Sequence, residues 1–184
     1  CISKPVLREY GRAFDDSPDL EEEFFRCYRH ACERLHRLLQ CPRDASIALM
    51  SGEAMCALWG AVKSVLRGGD FAVVLDNGIF GRGFADMCAA VCGRENVLLL
   101  SWAFDEPLDV ARMQREVGQR KPVLVTAVHC DTPSGILNRN LRDIGAWCHS
   151  VGALFLVDFV ASAFGTAVNV ADWHIDLGLL GTQK

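Results

Sequence analysis

The sequence predicts an α/β fold, a three-layer doubly wound domain around a mainly parallel sheet. Three observations carry this. Short runs such as FAVVL (71–75), PVLVTAV (122–128) and ALFLVD (153–158) are apolar at successive positions, as strands buried on both faces are. Segments with helical periodicity separate them. The chain has 184 residues, 51% of them hydrophobic, enough for one sizeable core.

The elements follow in order. Ser17 offers a cap, Pro18 a first-turn residue, and Asp19, Glu21, Glu22 and Glu23 favour the positive end of a helix dipole. Phe24, Tyr28, Cys32, Leu35 and Leu39 then recur at helical steps and predict one apolar face running to about Gln40. SIALM (46–50) reads as a short buried strand, and 53–66 as a helix stopped by Gly68-Gly69-Asp70. Strands are expected at 71–75, 96–100, 122–128, 153–158 and 175–181, and helices at about 80–92, 107–118 and 140–152. No internal repeat or low-complexity linker interrupts the series.

Composition excludes several functions. Nineteen lysines and arginines against 23 aspartates and glutamates give a net charge of −4 without a basic patch, so neither nucleic acid nor a membrane surface is an expected partner. Nine scattered cysteines, none in a C-x-x-C pair, fit neither a disulfide framework nor a metal site. They read as thiols in a reducing, intracellular compartment, the cytoplasm first, with an organelle left open. The apolar stretch from Val151 to Ala171 contains Asp158 and Asn169 and so reads as a buried strand and turn, not a membrane span. No signal peptide is visible. The chain opens on CISKPVLREY and stops at GTQK, and both ends read as cuts in a longer protein.

Asp158 is the most informative residue. An ionised carboxylate inside ALFLVDFVASAFG (153–165) costs several kcal/mol unless a cation or good donors meet it. It lies at the carboxyl end of an expected strand, where doubly wound sheets bind ligands. No nucleotide-binding glycine motif is present, but SGEAM (51–55) sits between an expected strand and a helix, where backbone N–H groups and the dipole hold phosphate. Lys184 stands just past the last apolar run, and a lysine in an apolar site can attack a carbonyl. A solvated surface lysine is the alternative. Phosphate cradle, buried aspartate and lysine together are what pyridoxal phosphate needs, its pyridinium N–H⁺ being the missing cation.

The stretches at 51–87, VHCDTPSGILN (128–138), LFLVDFVASAFG (154–165) and DWHIDLGLLGTQK (172–184) resemble the class V aminotransferases of fold type I, a family of pyridoxal-phosphate enzymes. The resemblance implies that residues 1–184 are the cofactor-binding large domain of an enzyme whose N-terminal arm and C-terminal domain lie outside this chain. It implies transfer of an amino group from an amino acid, alanine or serine, to a 2-oxo acid, glyoxylate or pyruvate. Lys184 matches the Schiff-base lysine and proton shuttle, Asp158 the partner of the pyridine nitrogen, and Val160 the residue under the ring. Phe80 matches the aromatic residue on the other ring face, and Gln183 with Glu53, Ala54 and Met55 the positions around the phosphate. A homodimer is implied, with the substrate-carboxylate arginine in the C-terminal domain and a neighbouring subunit helping to hold the phosphate.

Two departures from the family pattern stand out. Glu53 replaces a hydroxyl residue, and a like-charge pair at 4 Å costs roughly 4 kcal/mol at an effective dielectric near 20, so Glu53 must point away, pair with a base or cap its own helix. Pro133 stands where relatives carry a serine that bonds the ring's phenolic oxygen, leaving Thr132, Ser134 or nothing for that role. Two other functions remain. Cysteine desulfurase-type lyases share the fold but place a histidine over the ring and another before the lysine, where this chain has Phe80 and Gln183. A non-catalytic binding module would need Asp158 paired within the protein. His129, Trp59, Trp102, Trp147, Trp173 and Arg82 read as structural or surface residues.

Overall fold

The computed structural model describes residues 3–10 and 22–182. Five strands, β1 (Ala72–Asp76), β2 (Val97–Ser101), β3 (Leu124–Val128), β4 (Leu154–Asp158) and β5 (Leu177–Leu179), form one sheet in the order β2-β1-β3-β4-β5. All four pairings are parallel. Such strands need covered crossovers, and α4 (Ile79–Cys92), α5 (Val110–Val117) and α6 (Leu141–Val151) supply those from β1 to β4, while α1 (Lys4–Tyr10), α2 (Glu22–Leu38) and α3 (Ala54–Val65) precede the sheet. The doubly wound, three-layer architecture is therefore as the alternation of the sequence predicts.

Side-chain alternation divides the core in two. Val73, Leu75, Val125, Ala127, Phe155 and Val157 face α5 and α6, which bring Met113, Val117, Leu141, Ile144 and Cys148. Ala72, Val74, Leu124, Val128 and Leu156 face α3 and α4, which bring Leu58, Val62, Phe84, Met87 and Cys88. Burying one such aliphatic side chain contributes about 1.5–3 kcal/mol, so both layers hold the sheet. Gly145 lets α6 approach the turn before β5, because a Cβ there would overlap the carbonyl of Trp173.

One expectation fails on the N-terminal side. Residues 46–50 form no strand but run extended and largely exposed along α2, where Cys32 Sγ donates to the Ile47 carbonyl at 3.8 Å and the Leu49 N–H to the Tyr28 hydroxyl at 3.2 Å. A short apolar run fits an extended connector against a helix as well as a strand. The apolar face of α2 rests on this connector rather than on the sheet, so none of its residues is fully buried. The predicted start of that helix at Ser17 lies outside the described residues. No helix among the described residues is long and apolar enough to cross a membrane, and the stretch containing Asp158 is β4 and the turn after it.

Candidate active site

The chain leaves β1 for the outer strand β2 and then returns to β3 on the other side of β1, so strand order reverses between β1 and β3. In open parallel sheets ligands bind outside the carboxyl ends of the strands at such a point. A cavity of about 520 Å3 lies there. Asp158, Val160, Phe80, Glu53, Ala54 and Met55 all line it. Six residues expected at the site from sequence are thus together, whereas Gln183 and Lys184 lie outside the described residues; Thr182, immediately before them, lines the cavity.

Asp158 ends β4 and is 5% exposed. Its Oδ1 accepts the Val160 N–H at 2.8 Å. Burial pushes the carboxyl above the ordinary aspartate range, the Val160 N–H pulls it partly back, and the nearby Asp131 carboxylate pushes it up again. A cation arriving in the cavity would reverse that balance.

Phe80 is in the first turn of α4, is 37% exposed and lines the cavity. Glu53 is the N-cap residue of α3, yet its side chain makes no capping hydrogen bond and is exposed, which removes one of its three expected options. The first internal bond there runs from the Cys56 N–H to the Glu53 carbonyl at 2.9 Å. The N–H groups of Ala54 and Met55 therefore lie in the unbonded first turn beside the cavity, as anion-binding helix starts do.

The loop after β3 supplies residues whose roles the sequence did not reveal. Cys130 and Thr132 line the cavity. Burial, then the Asp131 charge, raises the Cys130 thiol, which disfavours a reactive thiolate. Ser134 Oγ donates to Asp131 Oδ2 at 3.1 Å and is thereby occupied. Behind this loop, Asn138 Nδ2 donates to the Val128 carbonyl at 2.8 Å and to Asn77 Oδ1 at 3.3 Å, while Asn77 Nδ2 donates to Asn138 Oδ1 at 2.8 Å. His129 is buried, its Nδ1 2.9 Å from Ser162 Oγ and its ring edge-on to Trp173 at 5.2 Å. Burial lowers its pKa to about 4, so it stays neutral and structural. Arg82, 72% exposed, pairs with Asp76 at 3.5 Å. The eight cysteines among the described residues are free thiols.

The residues fit pyridoxal phosphate. A helix start with free N–H groups suits a phosphate, the apolar side chains of Phe80 and Val160 in the lining suit a flat ring, and the buried Asp158 suits a ring N–H⁺. Fold and cavity define a doubly wound α/β domain with a cavity at the switch point of its sheet. The chain belongs to the aminotransferase class-V family, whose sequence model matches residues 2–184. That membership implies pyridoxal phosphate as cofactor. The (S)-ureidoglycine–glyoxylate transaminase of Bacillus subtilis is 31% identical over 185 residues, covering 100% of this chain and 41% of that protein. The alanine–glyoxylate aminotransferase of Felis catus is 29% identical over 165 residues, covering 90% of this chain and 39% of that protein. The crystal structure of ureidoglycine–glyoxylate aminotransferase from Bacillus subtilis superposes with a TM-score of 0.91 at 27% identity, covering 100% of this chain and 46% of that one. The chain thus spans less than half the length of these relatives.

Proposed function

We propose that this chain forms the cofactor-binding domain of a pyridoxal-phosphate aminotransferase that moves an amino group from a small amino acid to a 2-oxo acid. The observation that carries the proposal is Asp158, a buried carboxylate that opens on a cavity beside a helix start and pairs with no cation among the described residues. When bound, the cofactor supplies an electron sink for the α-carbon of the amino acid. Asp158 keeps the proton on the ring nitrogen. Phe80 and Val160 bracket the ring, with aromatic contact contributing about 0.5–1.5 kcal/mol beyond burial. The Ala54 and Met55 N–H groups, with Gln183, hold the phosphate beside the exposed Glu53, which lines the same cavity. Thr132 takes the place of the donor missing at Pro133, since it lines the cavity while Ser134 is engaged by Asp131. Lys184 Nζ tethers the cofactor and then carries the proton from the substrate α-carbon.

The acceptor fits glyoxylate, which the names of both relatives share, with pyruvate as second choice; alanine and serine are the donors to test first. A homodimer, a cytoplasmic location and a substrate-binding arginine in a separate C-terminal domain complete the proposal. Phe80, where desulfurase-type sites place a histidine, supports transamination over a lyase reaction. The test is the visible spectrum of the full-length protein purified with pyridoxal phosphate, before and after borohydride, beside Lys184→Ala. A yellow band that borohydride bleaches, with the reduced cofactor on the Lys184 peptide and absent from the variant, is expected. A colourless protein without a reducible adduct would overturn it.

A further inference from the structure

We infer that Asp131 is a positioning residue that latches two walls of the cavity together, fixing Phe80 and Thr132 relative to one another so that the ring slot exists before any ligand arrives. This rests on the cofactor reading above. Asp131 is buried, 1% exposed, and no cation pairs with it among the described residues. Its two oxygens face different segments. Oδ1 accepts the Phe80 N–H in the first turn of α4 at 3.4 Å. Oδ2 accepts the Ser134 N–H at 3.4 Å and the Ser134 hydroxyl at 3.1 Å within its own loop. The backbone of that loop is closed as well: the Asp131 N–H donates to the Ile136 carbonyl at 3.2 Å, and the Gly135 N–H to the Asp131 carbonyl at 2.8 Å.

The turn is shaped to receive this carboxyl. A Cβ on Gly78 would overlap the Asp131 carboxyl group, and the three nearest atoms to that Cβ all belong to it. Gly78 has an extended backbone that any residue adopts, so the glycine is required for space rather than for conformation. An ionised group without a counter-charge is an expensive way to stabilise a turn. Only a carboxylate offers acceptors alone on both oxygens, one for each wall. The walls it joins carry Phe80 and Thr132, and both line the cavity.

The test compares Asp131→Ala, Gly78→Ala and the double variant in the full-length protein. Amide hydrogen exchange of residues 79–82 and 132–136 without cofactor, and affinity and induced circular dichroism with pyridoxal phosphate, are the readouts. Asp131→Ala should speed exchange at both segments at least tenfold, raise the cofactor Kd about tenfold and weaken the induced signal. Gly78→Ala should do the same from the opposite wall. Because removing the carboxylate frees the space that the new methyl needs, the double variant should be no worse than Gly78→Ala alone. Additive losses, or unchanged exchange in Asp131→Ala, would overturn the inference. Should Asp131→Ala not fold, Asp131→Asn keeps one acceptor oxygen and should lose protection at one segment only; loss at both, or at neither, overturns it equally. A wild-type protein that binds no cofactor would sink the cofactor reading, while the exchange measurements would still judge the latch.

Discussion

The cavity has one wall tied by side chains and one that is not. The wall built from the β1–α4 turn and the loop after β3 is fastened by the Asn77–Asn138 pair, by Asp131 and by the Asp76 carboxylate, which accepts the Gly78 N–H and the Ser101 hydroxyl, both at 3.0 Å. The wall at the start of α3 has no side-chain cap and hangs from the packing of Leu58 and Val62 in the core. The difference teaches that side-chain ties are concentrated at the wall where the proposed function places a ring and its substituents. The phosphate end needs only backbone N–H groups, which a helix presents without help.

The comparison can be broken first at Asn138. Asn138→Ala strips partners from Asn77 and from the Val128 carbonyl, both buried, and should cost about 3 kcal/mol or more. Urea denaturation would measure it, and a loss under about 1 kcal/mol would mean that the tied wall is not held by this pair.

A somewhat smaller effect is expected from acid at His129, whose neighbours Cys130 and Asn138 belong to the same wall. Its folded pKa of about 4 lies below the ordinary value of 6.5, so between those values the unfolded chain binds the extra proton. The stability it supports is complete above pH 6.5 and falls away as the pH drops toward 4, by on the order of 2–3 kcal/mol. Denaturation at a series of pH values should show this slope, and His129→Gln should flatten it.

Asp158→Asn sharpens the contrast between floor and walls. Without cofactor the variant should be as stable as the parent or more so by about 1 kcal/mol, because a buried carboxylate is relieved. Its affinity for pyridoxal phosphate should fall at least tenfold, read by fluorescence titration. The smallest effect belongs to the untied wall. Glu53→Ser supplies a helix cap for about 0.5–1 kcal/mol and should tighten pyridoxal phosphate while leaving unphosphorylated pyridoxal unaffected. Equal effects on both ligands would mean that Glu53 is not beside the phosphate.

Much of the fold was legible because strands buried on both faces must be largely apolar, and β1, β3 and β4 obey that except at Asp76, Thr126 and Asp158. Asp158 stood out by violating the same rule. Asp131 was invisible for the opposite reason: in CDTPSG a carboxylate looks like an ordinary turn residue, and only the fold brings it against Gly78, 53 positions earlier. The Asn77–Asn138 pair, 61 residues apart, leaves no local trace either. Residues 46–50 were misread because composition cannot say whether an extended segment finds a strand to pair with.

The cavity draws its lining from Gly52 through Thr182, from segments far apart in sequence. On the ribosome, therefore, no early portion of the polypeptide carries the complete site. Neighbouring parallel strands wait for their crossovers, and the floor around Asp158 closes only when β5 has emerged beside β4. A cofactor that recognises this cavity senses completion of the domain, and free pyridoxal phosphate would act on the newly made protein as a folding ligand, raising the yield of finished chains by mass action.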